Sequence, residues 1–307
     1  MEKSNPTIIA NNLPKIKDIV QSPEYVVFLQ KKTMIHSINT KSGLLSLDKP
    51  VVMGILNVTE DSFYDGGRYT NQDSICRRAG QILEEGGDII DIGAVSTRPG
   101  ANDISEEEEI RRIQNAVTLV RKYFPKAVIS VDTWRASVAQ TAIDSGADII
   151  NDVSGGTFDP DMIPTISRLQ VPYILMHTPA KPDTMQKHTE YKDILAEMLQ
   201  FFGQQLEKLH QVHVHDIILD PGFGFGKTLE QNYFVLQNMD AFKVFDLPIL
   251  VGISRKSMIY KLLETTPDNA LNGTTVVNTL ALMKGAAILR VHDVREAVET
   301  RKIVGMI

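Results

Sequence analysis

Nearly every short apolar run in this chain is followed by a group able to do chemistry. Asn57 and Asp61 follow the first. Then come Thr97 and Arg98, Asp132, Asn151, Met176 with His177, Asp220, Lys256, and finally Arg290 with His292. A lone Asp or Asn in such a place is commonly a turn former or a helix cap. Turns do not require a lysine, two arginines and histidines at one rim. The set divides by charge. Asp132, Asn151 and Asp220 offer acceptors plus one amide. A carboxylate grips a guanidine-like edge through two hydrogen bonds, so this group suits a flat ligand presenting adjacent N–H donors. Arg98, Arg290 and His292 suit an anion of several charges. Asn57 would stand near that anion, where its oxygen could help hold a hard cation such as Mg2+. Lys256 falls between the two groups.

Something must bring these groups to one mouth. Apolar runs recur near residues 51–58, 89–93, 127–131, 149–150, 173–176, 217–219, 249–252 and 286–291. Short β-branched runs of this kind read as strands buried on both faces, as in a parallel sheet. Helical patterns lie between them. Ser105, Glu106, Glu107 and Glu108 form a capping-box pattern ahead of the periodic stretch 110–120. Leu195, Met198, Leu199, Phe202 and Leu206 share a helical face within 193–209. Gly86, Gly146 and Gly285 sit where helix C-caps are expected. Eight alternating units predict a (β/α)8 TIM barrel, with an open doubly wound sheet as the alternative. In a barrel the strand C-termini form the active-site rim. Three runs share the word Asp-Ile-Ile, starting at Asp88, Asp148 and Asp216. The copies ending at Asn151 and Asp220 place a polar group at the rim, whereas Asp91, ending the first copy, reads as structural.

Residues 46–307 read as one barrel domain. Residues 1–45 read as an N-terminal extension with a hairpin, 33–38 against 44–47, that caps the barrel's bottom. The loops at 57–71 and 93–102 are long and rich in turn residues, which suits closure over a ligand. Of the 307 residues 43% are hydrophobic, and the net charge is -6, which disfavours nucleic acid as a partner. Cys76 is the sole cysteine, so neither a disulfide nor a thiolate metal site is expected. There is no secretory pattern and no apolar run long enough to span a membrane, so a cytoplasmic protein without membrane partners is expected. The segment from Gly222 to Lys227 looks like a phosphate loop, but Pro221 occupies the place of its first glycine. Its glycines read instead as close backbone passage beneath a ligand. His210, His213 and His215 precede a strand, at the barrel's other end, and read as a solvated helix end.

The residues from Met53 to Phe63, with Asp65, Gly66 and Gly67, resemble the first signature of the dihydropteroate synthase family. Asp91-Ile92-Gly93 followed by Ser96-Thr97-Arg98-Pro99-Gly100-Ala101 resembles the second. Ser130-Val131-Asp132-Thr133, Asn151-Asp152, Met176-His177, the run from Asp220 to Lys227, the run from Gly252 to Ser257 and Arg290-Val291-His292 continue the likeness in order. It covers residue 34 onward. Val95 and Glu60 depart from a frequent glutamate and a frequent proline.

The resemblance implies a barrel, dimeric as a rule. It would condense 6-hydroxymethyl-7,8-dihydropterin pyrophosphate with p-aminobenzoate to give dihydropteroate and pyrophosphate in folate synthesis. It places the pterin on Asp132, Asn151, Asp220 and Lys256. The pyrophosphate falls to Asn57, Arg98, Arg290 and His292, with Asn57 also a ligand to Mg2+. The p-aminobenzoate pocket, where sulfonamides also bind in this family, falls to Phe63, Thr97, Pro99, Phe225 and Ser257. Asp132, Asp220, Lys256, Arg290 and His292 would carry the reaction. Three rivals share parts of this pattern: a methyltetrahydrofolate:corrinoid methyltransferase, a non-catalytic pterin-binding protein, and an aldolase-like barrel using Lys256 as Schiff base. The first has no need of the Arg98, Arg290 and His292 anion site.

Overall fold

Alternation along each strand decides what points into the barrel, and therefore what the rim holds. The computed structural model describes residues 37–41, 43–58, 71–95 and 104–307. Among these, a hairpin pairs β1 (Ser37–Thr40) with β2 (Gly43–Ser46). Eight parallel strands follow: β3 (Val51–Asn57), β4 (Ile89–Gly93), β5 (Val128–Asp132), β6 (Ile149–Asp152), β7 (Tyr173–Met176), β8 (Ile217–Asp220), β9 (Leu250–Val251) and β10 (Ile288–Val291). Their order is β8-β7-β6-β5-β4-β3-β10-β9, and a Leu219–Ile249 bridge joins the two ends. The predicted TIM barrel is therefore the fold, and the open sheet is excluded.

The intervening helices are α1 (Asn71–Glu84), α2 (Glu106–Tyr123), α3 (Ala136–Ser145), α4 (Met162–Leu169), α5 (Ile194–Gln211), α6 (Leu229–Gln237), α7 (Ser257–Tyr260) and α8 (Leu271–Met283), and α9 (Val294–Val304) closes the chain. Among the described residues no helix is long and apolar enough to cross a membrane. Ser105 caps α2 by accepting from the Glu108 N–H. Glu108 does not complete the box, because its carboxylate is taken by Arg111 and Arg112. The reciprocal box occurs at α6 instead, between Thr228 and Gln231. Gly86, Gly146 and Gly285 all take positive φ, as the predicted caps require.

Two cores result. Val52, Ile90, Ile92, Ile129, Val131, Ile150, Leu175, Leu219, Val251 and Leu289 face the helices. Val51, Met53, Ile89, Val128, Ile149, Ile174, Ile218, Leu250 and Ile288 fill the lumen, with Ile38 and Leu47 packed below them. The hairpin and the barrel share one compact unit, His36–Ile307. The hairpin is held by the repeated aspartates. Asp148 accepts from the Lys41 N–H at 2.8 Å, and Asp216 from the Asn39 N–H at 3.4 Å. Asp148 also accepts from the Ile129 N–H, and Asp88 from the Val52 N–H, each at 2.8 Å. These carboxylates satisfy strand-end amides at the barrel bottom, and Arg121 and Arg301 pair with Asp148 and Asp88.

Candidate functional site

Counting two residues onward from each lumen-filling apolar side chain gives the next inward layer. Ile89 leads to Asp91, Ile149 to Asn151, Ile174 to Met176, Ile218 to Asp220 and Ile288 to Arg290; Val128 leads through Ser130 to Asp132. Strand register sets the heights. Asp132 lies opposite Asn151, and Met176 opposite Asp220, whereas Asp91 is level with Ser130, one layer deeper. Of the groups predicted to share a mouth, Asp132, Asn151, Met176, Asp220 and Arg290 therefore point inward together.

The predicted separation into acceptors and cations does not hold as drawn. Arg290, assigned to the anion group, bridges two carboxylates: its Nε donates to Asp91 at 2.7 Å and an Nη to Asp132 at 2.7 Å. Asn151 Nδ2 lies 3.4 Å from both Asp91 oxygens. Asp91, read from sequence as structural, is therefore a full member of the site and entirely buried. Period-two counting from Ile89 was the signal that could have found it. Burial pushes the Asp132 carboxyl upward, against the opposing pull of Arg290. Burial lowers the Arg290 guanidinium, yet the charges of Asp91 and Asp132 outweigh this and raise it.

Across the mouth Asp220 is buried and accepts from the Gly222 N–H at 2.7 Å. Burial raises its pKa, opposed chiefly by Lys256. Lys256 Nζ donates to the Phe223 carbonyl at 2.6 Å and lies 4.5 Å from the centre of the Phe225 ring. Burial lowers the Lys256 ammonium to about 8, against the raising influence of Asp220. Phe225 packs with Val153, Met176 and Met185, so Met176 gives the mouth an apolar wall. His177, one residue on, points the other way by strand alternation. It is buried edge-to-face against Phe201 and does not reach the rim. This corrects its expected place there. Ser257 begins α7, directly after Lys256.

Toward β3 and β10, a cavity of about 600 Å³ is lined by Asn57, Arg78, Arg255, Asp268, His292 and Asp293 among others. His292 Nδ1 lies 3.1 Å from the Ser254 hydroxyl, which also accepts from the His292 backbone N–H at 3.2 Å. Ser254 thus fixes the ring, a contact sequence reasoning missed. Arg255 does not reach for a ligand; it clamps Asp293 and the carbonyls of Pro267 and Asp268. Phe63, Thr97, Arg98 and Pro99, with Asp61 of the expected rim, lie outside the described residues, as does Glu60.

The geometry is matched by kinship. A family model described as "Pterin binding enzyme" matches residues 53–292. The chain is 42% identical over 262 residues to dihydropteroate synthase of Escherichia coli (strain K12), covering 85% of this chain and 92% of that protein. It is 39% identical over 270 residues to that of Bacillus subtilis (strain 168), covering 87% and 92%. Among solved structures, Yersinia pestis dihydropteroate synthase with a sulfonamide drug superposes with a TM-score of 0.83 at 39% identity, over 88% of this chain and 98% of that one. The Xanthomonas albilineans dihydropteroate synthase with 4-aminobenzoic acid gives 0.82 at 33% identity, over 89% and 98%. The chain belongs to the dihydropteroate synthase family of pterin-binding enzymes.

Proposed function

We propose that this protein condenses 6-hydroxymethyl-7,8-dihydropterin pyrophosphate with p-aminobenzoate, forming 7,8-dihydropteroate and releasing pyrophosphate. One observation supports it most: acceptors Asp132, Asn151 and Asp220 point into the mouth together with the cationic Arg290, which donates to Asp132, beside Lys256 and the His292 cavity. The acceptors suit the aminopyrimidinone edge of a pterin. Lys256, Arg290 and His292, with Arg98, would stabilise the departing pyrophosphate while its C–O bond breaks. Asp132 and Asp220 would favour positive charge developing on the pterin. The aniline nitrogen would then attack the methylene carbon within the mouth.

Mg2+ would supply charge neutralisation to the pyrophosphate. Among the described residues no cluster of three His, Cys, Asp or Glu could hold a metal. Asn57 offers a single amide oxygen beside the cavity. That set fits Mg2+ only in its substrate-borne mode, where phosphates and water supply most ligands. Phe225 and Ser257, with Phe63, Thr97 and Pro99, would form the p-aminobenzoate pocket, and sulfonamides would compete there. A homodimer is the proposed assembly. Val276, Leu280 and Met283 support it, lining one exposed apolar stripe of α8 at 52%, 45% and 63% exposure. The corrinoid methyltransferase alternative leaves the His292 cavity unexplained.

The test is release of pyrophosphate when the protein meets the pterin pyrophosphate, p-aminobenzoate and Mg2+. Release dependent on both substrates is expected. Binding of both without release would favour a non-catalytic pterin-binding protein.

A further inference from the structure

The turn after β8 is gripped at every carbonyl by a donor from its own turn or from elsewhere. Gly222, Gly224 and Gly226 have φ of 67°, 81° and 57°. A Cβ on Gly222 would come within 2.0 Å of the His177 carbonyl oxygen, so the turn lies directly on that backbone. Gly222 O accepts from the Phe225 N–H and from Lys227 Nζ. Phe223 O accepts from Lys256, Gly224 O from Gln186, Phe225 O from Lys227 and Gly226 O from Tyr191. Two lysines therefore hold one turn from opposite sides. Lys256 holds it from the mouth and Lys227 from within.

Lys227 is 4% exposed, and its bonding partners among the described residues are two carbonyls and a ring nitrogen rather than a carboxylate. Its ammonium reaches Gly222 O at 2.9 Å, Phe225 O at 3.1 Å and His177 Nδ1 at 3.1 Å. Burial first, and the charge of Lys227 second, hold His177 well below its usual range, so its Nδ1 serves as an acceptor. A buried ammonium is an expensive strut, and a neutral amide could bind two carbonyls with less desolvation. A nearby anion would favour keeping the charge. Asp220, two residues before the turn, is that anion. It raises Lys227, which burial brings down to about 7, and Lys227 in turn opposes the upward shift of Asp220.

We propose that Lys227 is a positioning residue of the substrate mouth: by donating to the Gly222 and Phe225 carbonyls it fixes the turn that presents Phe225 and the Phe223 carbonyl. The inference rests on Phe225 lining the p-aminobenzoate pocket.

The test is steady-state kinetics of the full-length wild type, Lys227→Gln and Lys227→Met, with thermal melts beside it. Lys227→Met removes both carbonyl contacts and should raise the KM for p-aminobenzoate severalfold with little change in kcat, whereas Lys227→Gln, which can still donate to a carbonyl, should recover part of that loss. Variants that melt like wild type with an unchanged p-aminobenzoate KM overturn the inference alone. A wild type that releases no pyrophosphate overturns the function beneath it. If both Lys227 variants fail to fold, His177→Leu decides. It removes one acceptor of the ammonium, so the p-aminobenzoate KM should rise with little change in kcat, and unchanged constants overturn the proposal.

Discussion

Asp91→Asn tests the deepest part of the site. The carboxylate is fully buried and accepts from Arg290 Nε at 2.7 Å, while Arg290 keeps a second partner in Asp132 at 2.7 Å. Asparagine preserves the shape and leaves an acceptor oxygen, so the loss is that of charge on one buried hydrogen bond. Such bonds contribute about 1.5–3 kcal/mol, and losing a buried charge's only partner costs roughly 3–5 kcal/mol. Because Asp132 remains, the smaller figure governs, and about 2 kcal/mol is expected. In a barrel of this size that lowers Tm by roughly 4–8 °C. Arg290 should also drift toward Asp132. A displacement near 1 Å in a catalytic group can lower kcat/KM by about 100-fold. The decisive assay is a double-mutant cycle with Arg290→Met, read by denaturant unfolding. Coupling of about 2 kcal/mol is expected for neighbours of this kind. Additive effects, or an Asp91→Asn protein with unaltered Tm, would refute the claim that Asp91 holds Arg290.

Three further outcomes follow from the same geometry. Asp220→Ala should weaken pterin binding roughly 100-fold or more, from the loss of charge-assisted hydrogen bonds, while the thermal melt stays cooperative; undiminished turnover would sink the assignment. Lys256 is charged below its lowered pKa of about 8 and neutral above it. The kcat/KM for the pterin pyrophosphate should therefore fall as pH rises through about 8. Lys256→Arg keeps its charge throughout and should abolish that limb in a pH–rate profile. Gly222→Ala places a methyl 2.0 Å from the His177 carbonyl at a φ of 67°. Strain and overpacking together should destabilise by about 2–5 kcal/mol in urea unfolding.

The barrel was legible because its strands are short, β-branched and buried on both sides, and because glycine caps mark the helix ends. Gly86, Gly146 and Gly285 took the positive φ that their positions implied. The rim residues Asp132, Asn151 and Asp220 were legible because each lies in the last two residues of a strand. What sequence could not give was pairing across the lumen. Asp91 and Arg290 are far apart in the chain, and no local pattern announces their contact. His177 was misplaced because adjacency in sequence was read as adjacency in space, whereas alternation turns Met176 inward and His177 outward. The Ser254–His292 contact and the Lys227–His177 contact failed to appear for the same reason: both span loops whose course is set by tertiary packing.

The repeated Asp-Ile-Ile word shows how one pattern serves two ends of the barrel. Its leading aspartate sits at the bottom, where Asp88 and Asp148 accept strand amides and pair with arginines. Its trailing polar residue lies at the mouth. The two ends obey different energetics. At the bottom, a carboxylate completes backbone hydrogen bonds that would otherwise be buried unmade, so its charge serves stability. At the mouth, Asp91, Asp132 and Asp220 lie among Arg290, Lys256 and Lys227, and Asp91, Asp220 and Lys227 are deeply buried. Well-packed apolar residues in place of such a cluster are often as stabilising or more so. Its retention is therefore poorly explained by stability and well explained by preorganisation. Each cation is already held by a carboxylate or a carbonyl, so donors and acceptors stand fixed before a charged ligand arrives. A ligand that offers N–H donors to the aspartates and an anion to the cations replaces these internal pairings with its own, with little reorganisation of the barrel.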